Sequence, residues 1–214
     1  MNGSLYGPKY KVNIFRRYFS WNKAGVVFVH VPKAAGTSIN NALYGRTLGH
    51  YSAGQIQSRF PSLFSDCFTF SLVRNPWDRV LSAYRFACIG RTDSMGVRKP
   101  EQYQIPEFSS FERFVCDWLP SRDLSKIDFI FQPQYSFVCD QKLKVMVDHL
   151  GCVERLAETV SFVETRLGRA LDVKMANSTA SRDTNYRDAY ISNEMIETVR
   201  SVYKDDIDIF GYKF

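Results

Sequence analysis

The chain has 214 residues, a length that suits a single domain with one hydrophobic core. Hydrophobic residues make up 45% of it, but it contains no apolar run of about eighteen residues, which is the length that would predict a membrane span. The net charge of +6 indicates either a solvated basic surface or a polyanionic ligand; no recognisable nucleic-acid-binding module is present, so nucleic acid is not an expected partner. The five cysteines lack the spacing of disulfide frameworks or zinc sites, and no metal is predicted.

Residues 1–24 are predicted to form an N-terminal extension, and residues 25–214 a single domain. The extension is basic and aromatic but lacks the continuous apolar segment of a secretory signal. Its aromatic side chains are expected to pack on the body of the protein or on a partner; they are Phe15, Tyr18, Phe19 and Trp21.

The segment from Val26 to Ile39 predicts an anion site. A strand over Gly25–Val31 runs into a Pro-Lys turn, small residues and a helix over Thr37–Tyr44. Backbone N–H groups and the positive end of a helix dipole gather at such a turn. In the phosphate-binding loop of P-loop nucleoside triphosphatases the lysine comes after the glycines, whereas Lys33 precedes Gly36. The segment therefore indicates phosphate binding without ATP hydrolysis, and the alternative is an ordinary turn with a solvated lysine. The residues predicted to contact the anion are Lys33, Ala34, Ala35, Gly36, Thr37 and Ser38.

A second strand, Cys67–Val73, is followed at once by another helix start. Asn75 can cap a helix that has Pro76 in its first turn and runs to Cys88. Arg74 then lies at the end of the strand and Ser82 about two turns into the helix. A guanidinium and a hydroxyl suit a second phosphate. The alternatives are that Arg74 pairs with a carboxylate and that Ser82 only packs in the helix.

The remaining pattern predicts further helices and one more strand. Helices are expected over Ser52–Phe60, Ser110–Leu119, Glu154–Leu167 and Asn193–Tyr203, and a strand over Lys144–Asp148. Alternation of strands and helices indicates a parallel sheet covered on both faces. The aperiodic segment Gly90–Pro106 is interpreted as a lid on the acceptor side or as a surface insertion.

Together the two blocks resemble the sulfotransferases that use 3′-phosphoadenylyl sulfate (PAPS). HVPKAAGTS, residues 30–38, is like the family's 5′-phosphosulfate loop, and RNPWDRVLSAY, residues 74–84, is like its 3′-phosphate motif. The variant looks like the branch with bacterial carbohydrate sulfotransferases and the Golgi 2-O-sulfotransferases of heparan and dermatan. Later landmarks of that branch follow in order: PQY (133–135), VDHLGCVERL (147–156), NST (177–179) and YKDDIDIFGY (203–212).

The resemblance implies an α/β fold of the P-loop-like three-layer type, with a central parallel sheet flanked by helices. It also implies that Lys33 stabilises the departing 5′-phosphate, that the backbone of residues 34–38 holds this phosphate, and that Arg74 and Ser82 hold the 3′-phosphate. PAPS would be the sulfuryl donor and 3′,5′-ADP the product, with no metal. Residues 177–179 are expected to belong to a segment that closes over the nucleotide, and Arg182 is expected to be a further phosphate partner.

His50 is the predicted general base. It follows the first helix on a turn marked by Gly49, and a histidine after this helix has that role in the branch that the chain resembles. Histidine's unperturbed pKa of about 6.5 leaves the ring mostly neutral at pH 7. The alternative is a surface or capping histidine. His30, near the end of the first strand, is expected to pack or hydrogen-bond beside the loop.

These features predict an O-sulfotransferase that acts on a hydroxyl of a carbohydrate or glycoconjugate. The alternative is a non-catalytic protein that binds a 3′-phosphonucleotide as a sensor or scaffold. The absence of an apolar anchor in the sequence favours a bacterial, cytoplasmic enzyme.

Overall fold

The computed structural model describes residues 8–91, 96–97, 99–174 and 185–214, and gives only the backbone for residues 8–12. Its helices and strands are, in chain order, α1 (Pro8–Ala24), β1 (Val26–Val29), α2 (Gly36–Tyr44), α3 (Ala53–Arg59), α4 (Pro61–Asp66), β2 (Phe68–Val73), α5 (Pro76–Ile89), α6 (Phe111–Arg113), α7 (Tyr135–Val138), β3 (His149–Cys152), α8 (Leu156–Leu167), α9 (Asn193–Val202) and α10 (Lys204–Phe210). A π-helical turn covers Phe114–Trp118, and short 3₁₀ helices cover Pro100–Tyr103, Pro106–Phe108, Leu119–Ser121, Val153–Arg155 and Tyr186–Ala189.

The chain divides into two compact units. The first contains residues 1–73 and 134–176, and the second contains residues 74–133 and 177–214. The sheet lies in the first unit, while α5, α6, α9 and α10 belong to the second.

A parallel three-stranded sheet in the order β1-β2-β3 forms the centre of the first unit. Val26 pairs with Phe68, and Phe70 pairs with His149. The first two strands are buried almost throughout because their β-branched and aromatic residues suit a sheet covered by other elements. Helices α1, α4 and α8 contact the strands. The predicted α/β fold, a parallel sheet flanked by helices, is confirmed.

Helix α2 is tied to the outer edge of β1 by a tyrosine. The Tyr44 hydroxyl donates to the Val26 carbonyl (3.0 Å) and accepts from the Phe28 N–H (2.9 Å). An edge strand exposes unpaired backbone groups, and this hydroxyl satisfies two of them. The contact fixes α2, and so the loop in front of it, against the sheet.

The predicted strand over Lys144–Asp148 is wrong, since β3 begins only at His149. The side chain of Asp148 accepts hydrogen bonds from the Thr69 N–H (2.8 Å) and hydroxyl (2.9 Å). The backbone of residues 140–145 folds back on itself, with Cys139 bridged to Val145. The segment that was predicted as a strand therefore belongs to a turn that leads into the sheet. The residues that pair with β2 begin at His149.

An aromatic core fills the second unit. It includes Trp77 of α5, Met195 and Val199 of α9, and a cluster of rings formed by Tyr103, Phe108, Phe114, Trp118 and Phe131. The predicted helix over Ser110–Leu119 is instead a short α-helical turn that continues as a π-helical turn. Tight ring packing around Phe114 and Trp118 accompanies this change of winding.

A buried arginine organises the chain next to this core. Arg79 is 1% exposed, and its guanidinium donates to the carbonyls of Ile130 (3.3 Å) and Gln132 (2.8 Å). The Tyr203 hydroxyl donates to the carbonyl between them, that of Phe131 (2.7 Å). Burial lowers the pKa of Arg79, and the nearby Tyr203 and Asp206 oppose that shift. Three successive carbonyls are thus held from α5 and from the C-terminal helices.

No helix in the described ranges is long and apolar enough to cross a membrane.

Candidate active site

The loop between β1 and α2 has an unusual backbone. Lys33 (φ 65°) and Ala35 (φ 55°) are left-handed, while Ala34 between them is not. Left-handed non-glycine residues are uncommon and cost about 1–3 kcal/mol each, so the surrounding structure must impose them. Alternation of left-handed and right-handed residues turns successive N–H groups toward one side, which makes a concave site for an anion. The phosphate loop itself stays a prediction.

The loop leads into the N-terminus of α2, which starts one residue earlier than predicted. The capping residue is Ala35, whose side chain has no acceptor for the first turn of the helix. The N-terminal N–H groups of a helix carry partial positive charge and favour an anion. Lys33 and Thr37 are half-buried, and Ser38 is buried. A cation, two hydroxyls and a helix N-terminus therefore lie within one short stretch of chain.

His30, the last residue before this loop turns, is buried beneath it. Its ring lies so close to Gly36 that a Cβ atom there would overlap the imidazole. The Asn40 side-chain amide donates to Nδ1 of His30 (3.1 Å), which places the ring proton on Nε2. Burial lowers the pKa of His30 well below its ordinary value, and the charges of His50 and Lys33 add to the shift. His30 is thus a neutral, hydrogen-bonded ring beside the loop, as the sequence predicts.

His50 contacts His30 directly. Its Nδ1 lies 3.1 Å from the His30 carbonyl oxygen, and the two ring centroids are 4.1 Å apart. A carbonyl oxygen only accepts, so Nδ1 of His50 carries the hydrogen. In the neutral ring Nε2 is then the nitrogen that can accept a proton, as a general base must. The side chain is half-buried, as expected for a group that meets a substrate.

Asn40 links the predicted phosphate loop to the His50 segment, a role that was not predicted. Besides its bond to His30, its amide nitrogen donates to the Gly36 carbonyl (2.8 Å). Its oxygen accepts from the N–H of Leu48 (3.2 Å), two residues before His50. Asn40 is 1% exposed. A signal existed in the sequence, because Asn40 is a polar residue on the apolar stripe of α2.

In the second unit, three polar residues follow one another at intervals of four: Arg74, which lies just before the cap of α5, and Asp78 and Ser82 within this helix. Arg74 makes a bidentate pair with Asp78, with Nε–Oδ2 and Nη2–Oδ1 distances of 2.7 Å, and Ser82 is buried one turn later. Residues four apart share a helix face. The predicted cap is confirmed, because Asn75 Oδ1 accepts from the Trp77 N–H (3.1 Å) ahead of a first-turn proline.

The pairing of Arg74 is the alternative that the sequence left open. The side chains of Arg74 and Asp78 are 24% and 25% exposed, so the pair is partly shielded from water. A carboxylate that grips the guanidinium by one edge also fixes the plane of the fork. The pairing is compatible with a phosphate on the remaining donors of the guanidinium, but it does not require one.

The structure thus brings together two sets of predicted residues. Lys33, the residues 34–38 and His50 lie around His30 and Asn40 in the first unit, and in the second unit Arg74 lies just before α5 and Ser82 within it. Part of the predicted lid, residues 92–95 and 98, and the whole of residues 177–179 with Arg182 lie outside the described residues. The end of the lid segment is no loose loop, since Tyr103 packs in the aromatic core.

Comparison with known proteins gives one match. A sequence model described as "Sulfotransferase family" matches residues 16–213, which is nearly the whole chain. No curated protein and no solved structure matches. In the part of the chain that the structure describes, no group of three or more His, Cys, Asp or Glu side chains is arranged to hold a metal ion.

Proposed function

Because the chain belongs to the sulfotransferase family, we propose that it transfers a sulfuryl group from PAPS to a hydroxyl group of a carbohydrate or glycoconjugate. The observation that carries this proposal is the hydrogen bond between His50 Nδ1 and the His30 carbonyl. It leaves a basic nitrogen on a histidine that contacts His30, the residue on which the phosphate loop packs. A protein that only binds a nucleotide needs the loop but has no need of an oriented base.

The loop after β1 is assigned to the 5′ end of the donor. The alternating backbone from Lys33 to Gly36 and the N-terminus of α2 suit the 5′-phosphate, and Thr37 and Ser38 add hydroxyl donors. Lys33 is assigned to the oxygen that bridges phosphorus and sulfur.

The 3′-phosphate is assigned to Arg74 and Ser82 from their resemblance to the family motif. Arg74 would contribute its guanidinium, whose plane Asp78 holds, and Ser82 its hydroxyl. Recognition of this phosphate separates PAPS and 3′,5′-ADP from nucleotides phosphorylated only at the 5′ position.

In the proposed reaction the acceptor oxygen attacks sulfur in line with the leaving group. The bond between sulfur and the bridging oxygen breaks, and its electron pair stays on the 5′-phosphate of 3′,5′-ADP. Lys33 stabilises the negative charge that develops there. His50 Nε2 accepts the proton of the acceptor hydroxyl, so this proton does not remain on the oxygen of the new sulfate ester. No step requires a metal ion.

Asn40 and His30 are assigned as positioning residues. Asn40 holds the first turn of α2, the His30 ring and the Leu48 backbone with a single side chain. His30 in turn holds His50 through its carbonyl oxygen. These hydrogen bonds connect the loop that would stabilise the leaving group to the histidine that would accept the proton.

The experiment is a transfer assay with PAPS labelled in its sulfuryl group and a panel of hydroxylated acceptors. It includes oligosaccharides, glycolipids and small alcohols. The expected result is labelled sulfate ester with at least one carbohydrate acceptor, reduced about 10²–10³-fold in Lys33→Ala, because one donor to the developing charge is lost.

A thermal-shift measurement with 3′,5′-ADP and ATP separates the outcomes. Ligands that bind the native state raise the unfolding midpoint. A shift with 3′,5′-ADP but no transfer to any acceptor would support the non-catalytic nucleotide-binding protein instead. A larger shift with ATP would overturn the assignment of the donor.

A further inference from the structure

Helix α1 presents an outward face that combines aromatic rings and cations. Phe15 is 49% and Phe19 74% exposed, and Arg16 and Lys23 are exposed on the same side. Phe19 lies four residues from Phe15 and from Lys23 and three from Arg16, so these side chains fall within one stripe of the helix. Large exposed apolar side chains that cluster usually mark an interaction surface.

The opposite side of α1 is seated in the first unit. Ile14 and Trp21 are buried there, and the Trp21 ring meets Tyr51 edge to face at 6.1 Å. Phe15 is held at its base by Phe60, at 5.7 Å between ring centroids. Because the helix is anchored on this side, Phe19 cannot turn inward without displacing the buried residues.

The charge of α1 is of one sign. Five of its seventeen residues are lysine or arginine and none is acidic. Arg59 of α3 adds a further cation beside the stripe, with its guanidinium 5.5 Å from the centre of the Phe15 ring. This charge is complementary to an anionic surface.

We propose that the outward face of α1 docks the protein on an anionic membrane surface. The cations would meet lipid phosphates, while Phe19 and the exposed half of Phe15 would enter the boundary between headgroups and acyl chains. A soluble polyanion, such as an acidic glycan, would satisfy the cations but offers no apolar phase for Phe19. The combination of cations and exposed aromatic rings therefore favours lipid. Docking through this face would involve none of the residues assigned to sulfuryl transfer.

The test is co-sedimentation of the whole protein with vesicles of phosphatidylcholine alone and of phosphatidylcholine mixed with phosphatidylglycerol. The expected result is binding to the mixed vesicles that weakens as salt is raised, because the electrostatic part is screened. Phe19→Ser should lower the partition coefficient about tenfold, since one largely exposed aromatic ring no longer enters the lipid. The matched control is Ile191→Ser, because Ile191 is 71% exposed but lies in the second unit.

Three outcomes would overturn the proposal. The first is equal binding to both kinds of vesicle. The second is a Phe19→Ser protein that binds as well as the Ile191→Ser control, which would reduce the interaction to charge alone, as with a soluble polyanion. The third is a wild-type dimer in sedimentation velocity that Phe19→Ser dissociates, because a second copy of the chain would then cover the face. None of these readouts depends on sulfuryl transfer.

Discussion

The two segments assigned to phosphates are built in different ways. After β1, the proposed anion site consists chiefly of backbone: two left-handed residues and the N-terminus of α2, with a buried histidine beneath them. After β2, the candidate groups are side chains on α5, and the guanidinium of Arg74 is already held by a carboxylate.

This difference indicates a division of labour. The proposed backbone site is tied to His50 through Asn40 and His30, which suits the place where bonds change. The α5 site carries a pre-paired cation, which suits recognition of an unreactive phosphate. Changes around the first segment should therefore affect turnover, while changes on α5 should affect donor affinity.

The largest expected effect is that of His50→Ala. Turnover should fall about 10²–10⁴-fold, because the acceptor proton loses its base, while the Kd for 3′,5′-ADP stays unchanged. Steady-state kinetics with labelled PAPS and calorimetry with 3′,5′-ADP measure the two quantities. His149→Ala is the control, since His149 lies in β3 stacked on Phe162. If His50→Ala kept wild-type turnover, the assignment of His50 as the base would be wrong, and it would be only a surface or capping residue.

The next effect is that of Asn40→Ala. It leaves Nδ1 of His30 and the Leu48 N–H without their partner inside the protein, which should lower the free energy of unfolding by about 2–3 kcal/mol. Turnover well below the unfolding temperature should also fall, while the Kd for 3′,5′-ADP changes little. Urea unfolding and kinetics at low temperature separate the two effects. The matched control is Asn41→Ala, because Asn41 is exposed on the same helix.

A loss of stability in Asn40→Ala without any loss of turnover would contradict the positioning role. Asn40→Asp gives a second readout, since it keeps an acceptor for Leu48 but loses the amide donor to His30. It should recover part of the stability and less of the turnover.

The smallest effect is a pH dependence that belongs to the first segment. Burial lowers the pKa of His30, so below about pH 6.5 the unfolded chain binds a proton that the folded protein does not. Stability is therefore present above this range and falls as the pH falls, by about 1.4 kcal/mol per pH unit for one such group. Urea unfolding across this range should show a smaller slope in His30→Gln.

If His30→Gln does not fold, NMR titration of the wild-type imidazole gives the same test. The His30 ring should stay neutral through pH 6. Protonation near its ordinary pKa would mean that the ring is not buried beneath the phosphate loop.

Patterns in the sequence predicted the structural features that depend on residues adjacent along the chain. The strand, loop and helix around Lys33 and the Asn75-Pro76 helix start follow from adjacent residues, and their observed bounds differ from the predicted ones by one or two positions. The link through Asn40 was missed because it joins groups that only the fold brings together. The Arg74–Asp78 pair was visible as an i, i+4 spacing but competed with the phosphate assignment.

Non-local packing decided the remaining differences. The strand over Lys144–Asp148 failed because a side chain, that of Asp148, takes the place of backbone pairing at Thr69. The π-helical turn over Phe114–Trp118 depends on rings contributed by distant segments such as Phe131, so periodicity along the chain could not indicate it.

The central claim is that this chain holds two phosphates of one nucleotide, and the affinities for 3′,5′-ADP and 5′-AMP test it most directly. Calorimetry on the wild type should show tighter binding of 3′,5′-ADP by about tenfold or more, because charge-assisted hydrogen bonds to the 3′-phosphate are added. Arg74→Ala should lose most of this preference and leave 5′-AMP binding unchanged. The matched control Arg113→Ala, which breaks the i, i+4 pair with Asp117, should keep it. Equal wild-type affinity for the two nucleotides, or a preference that survives in Arg74→Ala, would contradict the account.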